Sequence, residues 1–293
     1  MFIATLIAAG NLSGGDISAA RDQLDQAGCL PAAHVWLDEG AAADIEFGLN
    51  PEAARSALDG AFRGIDIVVQ SVKSRAKRLL VADMDSTMIT VECIDELADY
   101  AGIKPQIAAV TEAAMRGELD FEAALDARVA LLKGLDEGMI ERCLAERVMI
   151  MPGAVVLVRT MKARGALTIL VSGGFTRFAE PVAEMIGFDR AIANRLDIAG
   201  GALTGTVAKP IVGSDTKLQT LLNAVAELDI PIEATLAVGD GANDLAMIRQ
   251  AGLGVAYHAK PIVAAAAGAR IDNGDLTALL YAQGIPRKDW VEA

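Results

Sequence analysis

Apolar and polar positions along this chain change their period twice. Residues 2–8 form a short apolar run that reads as a strand, Asp16–Ala27 has the spacing of an amphipathic helix, and 33–37 and 44–49 read as strands. Pro51–Phe62 then reads as a helix opened by proline, and 65–70 as a last strand. The order βαββαβ within residues 1–72 predicts a ferredoxin-like α+β domain. A basic connector, Ser71–Arg78, leads to the apolar run Leu79–Ala82, where a second unit of residues 79–293 begins. From about 90 to 150 the period is helical almost throughout, in Val91–Tyr100, Pro105–Arg116, Phe121–Leu132 and Glu137–Val148. A purely helical insertion behind a first strand predicts a lid over the strand ends.

Beyond Pro152 helix and strand alternate. Helix 153–163 precedes strand 166–171, and 190–197 with 202–207 reads as a hairpin around Ala199-Gly200-Gly201. Helix 214–228 leads to strand 234–238, and two short strands follow near Gly254 and Arg270. Regular alternation of this kind predicts α/β architecture, a Rossmann-like parallel sheet covered on both faces.

Composition narrows the class. With 293 residues, 53% of them hydrophobic, the chain can bury a sizeable core. A net charge of -13 argues against nucleic acid and anionic membrane as partners, because both call for basic patches. Residues 1–72 hold -7 of that charge, an asymmetry consistent with two units. Cys29, Cys93 and Cys143 are odd in number and widely spaced, which fits neither a disulfide framework nor a zinc site. The apolar start, Met1–Ala9, lacks a basic leader and is too short to span a membrane, so a cytoplasmic location is expected. His34 and His258 have no metal-ligand spacing and are assigned to packing or surface.

The chemistry is concentrated in Val81-Ala82-Asp83-Met84-Asp85-Ser86-Thr87, where a buried-strand pattern stops in two carboxylates and two hydroxyls. Alone, it also reads as a strand followed by an acidic turn. In an open α/β sheet, however, the carboxyl ends of strands are where ligands bind, and two neighbouring carboxylates call for a hard cation such as Mg²⁺. Ser172-Gly173-Gly174 stands at another strand end, Lys217 near a helix start, and Gly239-Asp240-Gly241-Ala242-Asn243-Asp244 at a third strand end. Hydroxyl and amide donors, an ammonium and metal-binding carboxylates converging on one crevice describe a phosphoryl-transfer site.

This ordered set of four motifs resembles the haloacid dehalogenase superfamily of phosphatases over residues 79 to about 275. Val91-Glu92 and Phe121-Glu122 followed by Leu125, Arg128 and Val129 in the helical insertion make it similar to the phosphoserine phosphatase family. The leading domain resembles an ACT domain, a module that often binds amino acids and pairs with a second copy, so a homodimer is an expectation. The resemblance implies Asp83 as nucleophile, forming an aspartyl-phosphate, and Asp85 as general acid and base. It implies Mg²⁺ on Asp83, Asp240 and the backbone carbonyl of Asp85, with Asp244 supporting the metal or Lys217. Ser172, Gly173, Lys217 and Asn243 would bind phosphate; Glu92 would take the substrate ammonium, Arg128 its carboxylate, and Met115 and Phe121 would line an apolar wall. The implied reaction is hydrolysis of O-phospho-L-serine to serine and phosphate, the last step of serine synthesis. Two alternatives are a phosphotransferase that delivers the same phosphoryl group to an alcohol such as homoserine, and a non-catalytic amino-acid sensor. Retention of Asp83, Asp85, Ser172, Lys217 and Asp240 disfavours the sensor.

Overall fold

The computed structural model describes residues 1–292; the side chain of Met115, expected in the apolar wall, lies outside the described residues. Strands β1 (Phe2–Ala8), β2 (Pro31–Asp38), β3 (Ala42–Phe47) and β4 (Ile65–Ser71) form an antiparallel sheet in the order β2-β3-β1-β4. Helices α1 (Gly14–Gln26) and α2 (Pro51–Leu58) bury Ile17, Ala20, Leu24, Ala54 and Leu58 with Leu6, Ile45 and Phe47 of that sheet. This is the ferredoxin-like arrangement. Ser13 and Asp16 form a capping box that satisfies the first amides of α1.

The second sheet starts with β5 (Leu79–Ala82), all four residues buried. Between β5 and the next strand stand α3 (Cys93–Tyr100), α4 (Lys104–Met115), α5 (Phe121–Leu131), α6 (Gly138–Arg147) and α7 (Ala154–Ala163). Then follow β6 (Leu167–Phe175), α8 (Thr176–Ile186), β7 (Arg190–Asn194), β8 (Leu196–Ala199), β9 (Ala202–Val207) and α9 (Ser214–Leu228). The chain ends with β10 (Thr235–Gly239), α10 (Leu245–Gln250), β11 (Leu253–Tyr257), α11 (Pro261–Ala264), β12 (Ala269–Ile271) and α12 (Ala278–Ala282). The parallel order is β12-β11-β10-β5-β6-β7, so the first strand is central and the chain builds outward on both sides of it. Alternate residues of β5 and β6 enter opposite cores: Leu80, Ala82 and Leu170 on one face, Leu79, Val81, Ile169 and Val171 on the other.

Two sequence expectations are corrected. Residues 190–197 are not one arm of a hairpin: Arg190–Asn194 is the parallel edge strand β7, and only Leu196–Ala199 pairs antiparallel with β9. The chain can do both because Asn194 ties the break, its side chain donating to the Gly173 carbonyl and accepting from the Val212 N–H. Strand β6 does not stop at Val171 but continues through Ser172-Gly173-Gly174, with a register shift before Phe175. Cys29, Cys93 and Cys143 are free and buried, and no described helix is long and apolar enough to cross a membrane.

The sheet face of the N-terminal unit opposite α1 and α2, including Ile7, Ala42 and Val68, shares one core with α12. Polar groups fix that junction. The Arg75 guanidinium donates to both Asp44 oxygens at 2.7 Å, to Thr5 Oγ1 and to the carbonyls of Tyr281 and Ala282, while Asp66 accepts from the amides of Asp272, Asn273 and Gly274. Breaking a buried pair strands its other charge, so Asp44→Ala should cost about 3–5 kcal/mol. Removing the exposed partner of Arg116, Glu118, should cost less than about 1 kcal/mol. Urea denaturation of the two variants checks the contrast; equal small losses would show that the Arg75 cluster does not hold the junction.

Candidate active site

The site grows from the carboxyl end of β5. Parallel pairing to β10 extends one residue past the strand, through the Asp83 N–H to the Val238 carbonyl at 3.0 Å. The chain then turns tightly, with the N–H groups of Met88 and Ile89 returning to the Met84 carbonyl. This places Asp83 at the point where the strand order reverses, since β6 lies on one side of β5 and β10 on the other. Lys217, one turn into α9 and fully buried, reaches Asp83 Oδ1 at 2.6 Å and Asp244 Oδ1 at 2.7 Å. Asp244 Oδ2 in turn accepts the Gly241 N–H at 3.0 Å. Any side chain on Gly239 would overlap the Asp244 carboxyl, so the end of β10 needs glycine for this packing.

Asp85 is tied to two other elements. Its Oδ1 accepts the Cys93 N–H at the start of α3, 2.9 Å away, and its Oδ2 accepts the Ser172 hydroxyl at 3.2 Å. Ser172 Oγ accepts the Gly174 N–H at 2.8 Å, and a Cβ on Gly174 would lie 2.9 Å from Asp85 Oδ2. The bare backbone there lets β6 approach the carboxyl. Asp240 Oδ1 accepts the Thr87 hydroxyl at 3.2 Å.

Burial, with Glu92 and Asp83 nearby, pushes the Asp85 carboxyl up to about 7. Asp240 is raised to about 6, chiefly by burial and by Asp83, with Lys260 opposing. For Lys217, burial disfavours the ammonium, but the adjoining Asp83 and Asp244 carboxylates outweigh it and hold the group above the ordinary lysine range. One oxygen each of Asp83, Asp240 and Asp244 lie within 4.8 Å of one another, all three residues buried. Three carboxylates against one buried ammonium leave negative charge to be balanced, and hard oxygen donors in that number fit a divalent cation.

A cavity of about 270 Å³ opens over these groups. Asp83, Asp85, Glu92, Phe121, Arg128, Gly173, Asp240 and Asn243 all line it, so the structure brings together these sequence-predicted residues from β5, the helical insertion, β6 and the loop after β10. Ser172, Lys217 and Asp244 stand behind the wall, where they touch its carboxylates. Arg128 directs its Nε to the Ala124 carbonyl of its own helix, 3.2 Å away. Sequence reasoning gives no role to Ile94 and Lys260, which also line the cavity, and marks Leu125, a further lining residue, and Thr87 only as parts of motifs. Lys260 was findable: it follows β11 and precedes α11, so it belongs to the same edge of the sheet as the other strand-end residues.

The profile of the haloacid dehalogenase-like hydrolases matches residues 80–249. Phosphoserine phosphatase of Streptomyces coelicolor is 46% identical over 256 residues, 85% of this chain and 62% of that protein. Phosphoserine phosphatase of Haemophilus influenzae is 46% identical over 202 residues, 69% of this chain and 64% of that protein. The chain thus spans less than two thirds of the length of these two curated relatives. A haloacid dehalogenase family hydrolase from Salmonella enterica serovar Typhi has the same fold, with a TM-score of 0.83 at 30% identity over 96% of this chain and 98% of that one. The profile covers more than half of the chain, and the chain belongs to the haloacid dehalogenase-like hydrolase family.

Proposed function

We propose that this protein is a Mg²⁺-dependent phosphatase that hydrolyses O-phospho-L-serine through an aspartyl-phosphate on Asp83. The observation that carries the reading is the composition of the one cavity over Asp83. It is walled by a second carboxyl with a pKa near neutrality and by a carboxylate and a guanidinium from the helical insertion. Phosphoserine presents a phosphate, an ammonium and a carboxylate. Those charges complement the cation that the carboxylate cluster would hold, Glu92 and Arg128 respectively. The relatives named above point to the same substrate.

In the first step Asp83 attacks phosphorus, the bond from phosphorus to the serine oxygen breaks, and the protonated fraction of Asp85, raised to about 7, gives its proton to that oxygen. Serine leaves. In the second step Asp85, now ionised, takes a proton from water as the water attacks the phosphoryl group, which releases phosphate and regenerates Asp83. Lys217 holds the Asp83 carboxylate in one orientation, and Ser172, through its bond to Asp85 and its place beside Gly173, holds the acid near the phosphate site. Asp83, Asp240 and the Asp85 carbonyl would hold Mg²⁺, which offsets phosphate charge as a Lewis acid when bound. Serine synthesis in the cytoplasm is part of this reading. The N-terminal domain is read as ACT-like, spanning 1–72, with the core at 79–293 and its cap at about 90–150; a homodimer through that domain is proposed with it.

Phosphate release from O-phosphoserine, phosphothreonine and an aryl phosphate, each with Mg²⁺ and with chelator, tests the reading. Metal-dependent preference for phosphoserine is expected; activity confined to the aryl ester would remove the substrate, and no activity on any would remove the chemistry. Arg128→Ala should lower kcat/KM for phosphoserine about 10- to 100-fold and leave the aryl ester nearly unchanged. Equal losses on both esters would take Arg128 out of substrate recognition.

A further inference from the structure

Ser86 lies in the left-handed backbone region, at φ +54°. A residue with a Cβ pays roughly 1–2 kcal/mol there, and glycine would relieve it. The hydroxyl explains what the strained position provides. Ser86 Oγ donates to Glu92 Oε1 at 2.8 Å, and the Ser86 N–H reaches the Val91 carbonyl at 3.3 Å. These two bonds close the loop between the catalytic turn and α3. Glu92 is exposed and immediately precedes α3, and among the described residues no cation forms an ion pair with it. Its neighbour Cys93 donates its N–H to Asp85, so adjacent residues at the head of the cap are joined to adjacent residues of the catalytic turn.

We infer that Ser86 is a positioning residue: its hydroxyl fixes the Glu92 carboxylate at the cavity wall in the place where it receives a substrate ammonium. This rests on the assignment of Glu92 to the ammonium in the proposed function. A free glutamate side chain at a helix head samples several rotamers, and each must be given up on binding. With one oxygen held by Ser86, the carboxylate stands at the cavity wall before the substrate arrives. The effect belongs to binding of the amino group. The Ser86 hydroxyl adds no hydrogen bond to the groups that move the phosphoryl unit, since among the described residues it bonds to Glu92 alone.

The test compares Ser86→Ala and Ser86→Gly on O-phosphoserine and on 3-phosphooxypropionate, which keeps the phosphate and the carboxylate but lacks the ammonium. Both variants lose the hydroxyl, whereas only glycine relieves the left-handed backbone, so a loss common to both belongs to the hydroxyl. KM for O-phosphoserine should rise about 3- to 10-fold in each, with kcat and both constants for the analogue within about twofold of the parent. Unchanged KM for O-phosphoserine, or equal losses on the two substrates, overturns the inference. Glu92→Gln separates its failure from that of the reading beneath it. If Glu92→Gln affects phosphoserine alone while the Ser86 variants affect neither or both, only the role of Ser86 falls. If Glu92→Gln raises KM for both esters alike, the ammonium assignment falls and the role of Ser86 with it.

Discussion

An ammonium with no solvent contact, gripped between Asp83 and Asp244, is the interaction on which the site depends. Burying Lys217 would be prohibitive alone, and burying Asp83 and Asp244 together without it would set two like charges against each other with no counter-ion. The two carboxylates hold Lys217 charged, and Lys217 opposes the rise that burial and Asp83 impose on Asp244, which still stands at about 7. The three groups come from the end of β5, the first turn of α9 and the segment after β10, so the same ion set also links three elements far apart in sequence. Its remaining negative charge suits the cluster to a divalent cation, which a phosphate would need in order to approach these carboxylates.

Topology puts that ion set within reach of a substrate. Because β5 is central and the chain builds away from it on both sides, a crevice opens at its carboxyl end without any special loop. The helical insertion then supplies what the sheet edge lacks: Glu92, Phe121, Leu125 and Arg128 roof the carboxylates. Bonds from Cys93 to Asp85 and from Ser86 to Glu92 make the roof and the catalytic turn parts of one arrangement. Enclosure in turn raises Asp85 toward neutrality, which is the property a general acid and base requires.

Much of this is legible in the sequence because parallel strands all end at one edge of their sheet. Asp83, Ser172 and Asp240 each interrupt a buried-strand pattern, and that local signal suffices to bring them together. The alternation at 190–207 reads as one hairpin, and the structure departs from that for an equally physical reason. β7 and β8 are separated by a single residue, Arg195, and only the tertiary bonds of Asn194 show where one strand ends and the other begins. The position of Lys217 and Ser172 behind the cavity wall was also beyond reach, since motif spacing carries no information on which face of an ion pair meets solvent. Ser86 was visible as a hydroxyl, but its left-handed backbone depends on a turn closed by Met84 and Val91 and has no sequence mark.

The proposed reaction rests on Asp83 carrying the phosphoryl group and Asp85 moving the protons. Both are tested at once in Asp85→Asn with an aryl phosphate, whose phenolate leaves without needing a proton. The first step should then proceed and the second should stall for want of a base. The account predicts a burst of about one phenol per active site, with the phosphoryl group found on the Asp83 peptide after acid quench. Absence of any burst or adduct while the parent enzyme turns over the same ester, or an adduct on another side chain, would contradict it.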